Sequence, residues 1–448
     1  MSVTNPLLTF ADLALGWHSR PLDEAVQKAV RHALLDWFAT TIPGTVRAPA
    51  TLLANADMGT GSGGAICLTS GRATSPRQAA FVNAAASHTV EFDDIFRDGG
   101  YHPGSPTIAA ALALAQDRNL PREAFDRAVI AGYEVGCRLA LALQPAHYEY
   151  WHITATLGTI GAATSAALLL GCDRDQIAHA IAIASSFAGG HQQNLQGAGT
   201  AKALHPGHAA EAGLLAAYAA RAGATGSLDA LHGQHGYAAA TGAGTGNWEA
   251  AFAGAGDWTP ITRMTVKIHG CCGHVFPALD GIGALRQQHG FAFEDIEALL
   301  VEGYGATKSM CDRPDPQGAQ EARFSLQYCL AAQLVLRSVR LDAFEEAALT
   351  NSNIRALMRR IKVERAEDLA AAYPARRMAR LHLRLKDGRA LDHFQPSRKG
   401  DPEDPVTPAE LVAKFDELAG SVLDAASVEA LRFRILDDDH LPAGLRPL

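Results

Sequence analysis

Four stretches of the sequence hold residue types that could move a proton beside an anion. In SHTVEFDDIFRDGGYHPGSPTI, residues 87–108, Glu91, Asp93, Asp94 and Asp98 stand with His88 and His102 among Phe92, Ile95, Phe96 and Tyr101. Acids in such company are partly desolvated, which shifts their pKa values as an acid–base site requires; a solvated loop would account for the acids alone. In HYEYWHITATLGTI, residues 147–160, His147, Tyr148, Tyr150 and His152 precede a helix expected to begin near Thr154 or Thr156. The free N–H groups of a helix start suit a carboxylate, although an interfacial aromatic loop fits this segment equally well. GAGTAKALHPGHAAE, residues 197–211, carries a single lysine, Lys202, among small residues, where it could clamp an anion or donate a proton. KIHGCCGHVFPALDG, residues 267–281, sets His269 and His274 around Cys271 and Cys272 at a strand–helix junction, where thiols pack as small apolar groups.

Other patterns point away from common chemistries. GTGSGG, residues 59–64, has the spacing of a dinucleotide loop, but strand-like AICLTSG follows it where a helix is required. His205 and His208 are separated by Pro206 and Gly207, and adjacent thiols cannot easily serve one cluster, so no metal or cofactor is expected. The net charge of −8 argues against nucleic-acid or anionic-membrane surfaces. It is compatible with a small anionic substrate in a locally basic pocket. Seven scattered cysteines suit a reducing compartment, and neither a signal peptide nor a membrane span is read, so a cytoplasmic location is expected.

The elements that must position these residues follow from periodicity. With 48% hydrophobic and 19% charged residues the chain is globular. Residues 1–260 are alanine-rich, with helical spacing around residues 22–37 and through 76–90, 106–118, 123–143, 158–170, 174–188 and 207–222. Beyond residue 261, ITRMTVKIHG, ALLVEGYG (298–305), ARLHLRLKDGRAL (379–391) and VEALRFRIL (428–436) read as strands, with a hairpin turn at Asp387–Gly388. Helical stretches are expected at 277–288, 321–336 and 407–419. The chain thus reads as mainly α, a large helical part beside a smaller α+β part.

The ordered words DWFATTIPG, GRATSPRQAAFVNAAASHTVEFDDIFRDGGYHPGSPTIAAALALA, GTIGAATSAALLLGCD, TAKALHPGHAAEAGLLAAYAARAGATG, VKIHGCCGHVFPALD, EARFSLQYCLA and KGDPEDPVTPAELVAKF resemble the MmgE/PrpD family. That family includes 2-methylcitrate dehydratase, cis-aconitate decarboxylase and iminodisuccinate epimerase. The resemblance implies an all-α domain of residues 1–265 plus 401–448 with an α+β lid domain, 266–400, inserted in it. It implies a homodimer that needs no cofactor, with a pocket between the domains. Lys202, His152, His102 and His274 match active-site positions, with Glu91 and Asp93 joining them as catalytic candidates and Asp94, Tyr148, Tyr328 and Cys272 as substrate-binding ones. The acidic word departs from the family's usual Asp-Phe-Asp-Asp: Glu91 is one methylene longer, and one extra residue separates it from His102. The implied activity is a dehydratase or decarboxylase acting on a small di- or tricarboxylate. An epimerase of the iminodisuccinate type and a non-catalytic carboxylate-binding protein are the alternatives.

Overall fold

The computed structural model describes residues 5–56, 58, 61–196 and 199–445. The protein is mainly α. At its centre lies the helix Ile153–Leu169, of which all but the final residue is buried. Its sequence is almost entirely Ala, Gly, Thr, Ile and Leu, and a helix apolar on every side is stable only when surrounded. The helices Gly104–Asp117, Arg122–Leu143, Arg174–Phe187 and Ala201–Arg221 surround it. Small side chains let these backbones approach closely at little entropic cost. The helix starts are written in the sequence: Asp23 and Ser75 accept from the N–H groups of Val26 and Gln78, and Asp173 and Thr407 form capping boxes.

A second apolar core lies between Cys271 and Leu385. It is built on a four-stranded sheet in the order Ile361–Arg365, Ile296–Gly303, Ala379–Leu385, Ala390–Gln395; the first pair is parallel and the others antiparallel. Leu381, Leu383 and Leu385 face that core while Arg380, His382 and Arg384 alternate away from it, the period-two pattern of a half-buried strand. The helix Phe276–His289 packs on this sheet. The helices Pro408–Gly420 and Ala425–Leu436 return to the first core, where Leu411, Phe415, Leu418, Leu431 and Ile435 join residues from the first 261 positions. The chain passes between the two cores at two adjacent places. Thr265 exchanges backbone hydrogen bonds with Ile95 at 2.8 and 2.9 Å, and the Val266 N–H donates to the Gly400 carbonyl at 3.0 Å.

Two expected strands are not strands. VEALRFRIL lies in the helix Ala425–Leu436: Asp424 caps it by accepting from Ser427, and Val428, Leu431 and Ile435 are buried at helical spacing. ITRMTVKIHG begins as a 3-10 turn, Pro260–Arg263, and continues as the crossing segment whose partners are Ile95 and Gly400 rather than a sheet. Of GTGSGG, Gly59 and Thr60 lie outside the described residues. Gly64 donates to Asp117 Oδ1 and leads into the strand Ala65–Cys67, so no helix N-terminus is offered there. Among the described residues no helix is long and apolar enough to cross a membrane.

Candidate functional site

A cleft lies where the two cores meet. From the helical part come Glu91, His102, Tyr148, His152 and Lys202; from the α+β part come Lys267, Cys272, His274, Phe324, Arg377 and Arg398.

The acidic loop forms one wall. Glu91 adopts φ +61°, a left-handed backbone that turns the loop between the helices Pro76–Ser87 and Gly104–Asp117. Its carboxylate pairs with Lys202 through Oε1 and with Lys267 through Oε2, the latter at 3.3 Å. Burial alone would raise its pKa, but Lys202, then Lys267, outweigh it and hold the carboxyl well below the ordinary range. Lys202 stands in the first turn of the helix Ala201–Arg221, with its ammonium 5.3 Å above the Phe324 ring. The lysine expected to stand alone therefore shares one carboxylate with a second lysine. Gly197 and Ala198, from the same sequence word, lie outside the described residues.

Behind this wall is a histidine–aspartate cluster. Asp93 Oδ2 accepts from His88 Nδ1 at 2.6 Å and from Ser105 Oγ at 3.1 Å. His102 Nδ1 is also 3.1 Å from it, without hydrogen-bond alignment. Burial opposes ionisation of Asp93, but His102 and His88 overcome it and keep the group well below the ordinary range. His152, the N-cap of the central helix, meets His205 Nδ1 to Nδ1 at 2.8 Å, and the His88 and His152 rings are 5.5 Å apart. Burial, then His88 and Lys202, hold the His152 pKa far below its ordinary value, so the ring is neutral. Among the described residues only His88, Asp93 and His102 bring potential metal ligands together, within 4.8 Å, and His88 Nδ1 and Asp93 Oδ2 are engaged with each other.

The facing wall comes from the α+β part. His274 Nδ1 meets the Tyr304 hydroxyl at 2.8 Å, and Tyr304 stacks on Tyr373. Burial, with Arg377 and Arg398 nearby, keeps His274 neutral too. The adjacent cysteines part company. Cys271 is wholly inside the second core, whereas Cys272 lines the cleft with a pKa lowered to about 7. A hydrogen bond with Cys311 is the main cause; burial opposes it, and the His274 backbone and Lys267 assist. Tyr148 donates to Met310 Sδ at 3.5 Å.

Besides Asp93, which lies behind the wall, two expected residues stand off the cleft. Asp94 is buried behind it, accepting from the Gly104 N–H at 3.1 Å and the Tyr133 hydroxyl at 2.8 Å. Tyr328 is fully buried and its hydroxyl donates to the Ala343 carbonyl. The reason is local. Ser325 caps the helix Leu326–Leu336 by accepting from the Tyr328 N–H, which turns Tyr328 into the core and leaves Phe324 on the cleft. Sequence reasoning weighed His205 only as a metal ligand beside His208 and set it aside, and it singled out neither Lys267, Arg377 nor Arg398. Lys267 opens the word KIHG and Arg398 immediately precedes KGDPEDP, but nothing local marks a buried arginine.

The family description "MmgE/PrpD N-terminal domain" matches residues 9–248, and "MmgE/PrpD C-terminal domain" matches residues 269–438. The chain is similar to the cis-aconitate decarboxylase of Homo sapiens, 27% identical over 391 residues, covering 80% of this chain and 75% of that one. It is similar to the Mus musculus enzyme of the same name at 26% over 372 residues, 80% and 74% covered. The cis-aconitate decarboxylase of Aspergillus terreus (strain NIH 2624 / FGSC A1156) is 26% identical over 394 residues, covering 83% and 80%.

Proposed function

The chain belongs to the MmgE/PrpD family, and from that premise we propose that it is a lyase that decarboxylates a small tricarboxylate of the cis-aconitate class without a metal or organic cofactor. The carrying observation is the charge of the cleft: four cationic side chains, Lys202, Lys267, Arg377 and Arg398, face one carboxylate, Glu91. Asp401 pairs with Arg398 from outside the cleft. Positive charge stays in surplus even with the ionised Asp93 behind the wall counted, and in a low-dielectric site that surplus calls for an anionic substrate. The names of the relatives supply the choice of decarboxylation.

In this reading the cations hold the substrate carboxylates. The bond to the departing carboxylate breaks, carbon dioxide leaves, and the electron pair stays on carbon, stabilised by the cations before a proton reaches it. His102 is assigned to deliver that proton, because the ionised Asp93 stands 3.1 Å from its Nδ1. Glu91, held between two lysines, positions them and is not a proton store at neutral pH.

A second reading rests on a separate observation. His152 and His274 are neutral imidazoles on opposing walls, so that one can remove a proton at an α-carbon and the other, once it has taken a proton from solvent, can return one to the opposite face. Incubation in heavy water with cis-aconitate, 2-methylcitrate and iminodisuccinate, with EDTA present, separates the cases. Carbon dioxide and an alkene acid bearing one new deuterium are expected from cis-aconitate. Water loss from 2-methylcitrate, or α-deuterium without net product, would replace the decarboxylase reading with a dehydratase or an epimerase. Turnover only when metal is restored would overturn the absence of a cofactor, and binding without exchange would leave a carboxylate-binding protein. We further propose a homodimer, to be read from light scattering.

A further inference from the structure

Arg377 and Arg398 are the cations of the cleft whose charge the protein leaves least answered. Lys202 and Lys267 each have an oxygen of Glu91. Arg377 is 5% exposed, yet its guanidinium donates only to the backbone carbonyls of Pro374 at 3.1 Å and Arg97 at 2.7 Å. Among the described residues no carboxylate is within ion-pair distance of it. Arg398 is 2% exposed. Its Nε donates to Asp401 at 2.9 and 3.0 Å and its Nη1 to the Gly273 carbonyl at 2.9 Å, but its Nη2 is buried with no partner at all. Asp401 does not answer Arg398 alone, since it also accepts from Thr265 and lies 3.5 Å from Arg97.

A buried guanidinium without a counter-ion, and a buried charged donor without an acceptor, are both costly in a folded protein. Two of them on one wall of one cleft describe a ligand that is anionic, planar and able to accept from more than one N–H. A carboxylate has that shape, and arginine is the side chain that matches it bidentately. Neutral His274 lies near Arg377, Arg398 and Lys267 in the cleft and adds no opposing charge.

We infer that Arg377 and Arg398 form a second carboxylate subsite, on the α+β wall, which takes a carboxylate of the substrate other than the one held near Lys202 and Lys267. The inference rests on the reading of the cleft as a polycarboxylate site and deepens it: the substrate must present carboxylates at both ends of its reach, so monocarboxylates are excluded.

The test uses the full chain and propane-1,2,3-tricarboxylate, a saturated tricarboxylate that offers no bond to cleave. Calorimetric titration is expected to show binding to the wild type, weakened about tenfold or more in Arg377→Gln and in Arg398→Lys. Thermal unfolding checks that each variant is folded. Arg377→Gln leaves the Arg398–Asp401 pair in place and is the variant that carries the test if Arg398→Lys unfolds. A crystal structure of the wild type with the same compound is expected to place one carboxylate against Arg398 Nη2 and the Arg377 guanidinium. Binding in the cleft with unchanged affinity in the folded variants, or with every carboxylate on the lysine side, would overturn the subsite and leave the polycarboxylate reading standing. Absence of binding to the wild type would remove both.

Discussion

Asp94 is an acid that the fold buries behind the cleft without ionising it. Burial first, and then the nearby Asp36, push its pKa up to about 8. Between about pH 4 and 8 an unfolded chain has lost this proton while the folded chain keeps it. The folded state therefore binds more protons, and stability falls as pH rises through that window, by up to about 1.4 kcal/mol per pH unit from this one group. Asp94→Asn keeps an oxygen for the Gly104 N–H and offers an amide to Tyr133, whose hydroxyl can rotate to accept. The variant is expected to unfold at a higher temperature than the wild type at pH 8, the gap shrinking toward pH 5; parallel melting curves across that range would contradict the assignment. At this scale the sequence was informative where chemistry and locality coincide. Glu91, His102, Tyr148, His152, Lys202, Cys272 and His274 all line the cleft, and their words were visible. Arg377 and Arg398 were not, because an arginine in a charged stretch looks solvated until its surroundings are known. Tyr328 was expected in the pocket from the resemblance, but a cap three residues earlier, at Ser325, decides which way its helix turns.

The central helix owes its start to a neighbour. Gly190 adopts φ +139°, its carbonyl accepts from the His152 N–H at 2.9 Å, and a Cβ placed on it would meet the Ala155 Cβ at 2.3 Å. Only a residue without a side chain fits between the helix N-terminus and the loop that braces it. Gly190→Ala is expected to cost about 2 kcal/mol in denaturant unfolding, from backbone strain alone, and to lower kcat/KM by displacing His152 from His205. Unchanged stability would mean that the loop moves aside freely. Helices were more legible than strands for a physical reason. The alanine-rich periodicity of residues 1–260 is long and repeated, whereas VEALRFRIL is short enough for its apolar residues to match either period. Its capping aspartate, Asp424, was the signal that could have decided it.

Across the whole molecule the cleft depends on contacts between distant parts of the chain. Lys414, on the helix Pro408–Gly420, is buried, donates to Asp36 Oδ1 at 2.5 Å and also to the Phe92 carbonyl at 2.8 Å, within the acidic loop. Lys414→Met is expected to cost about 3 kcal/mol by stranding Asp36 and to loosen the loop that carries Glu91 and Asp93. Pairing it with Asp36→Leu should recover part of the stability but not the activity, as measured by denaturant melts and turnover; full recovery of both would show that the loop needs no anchor. The two-core layout was foreshadowed by the change of character near residue 261, but not this long-range pairing, which no local pattern encodes. It also sets an order in time. A ribosome delivers the acidic loop about 320 residues before Lys414, so the loop emerges with neither its anchor nor the facing wall. The helical core can begin to condense on the growing chain, but a competent site waits until Lys414 has emerged. Chains that terminate early should therefore accumulate as folded-looking but inactive fragments whose acidic loop is open to proteases.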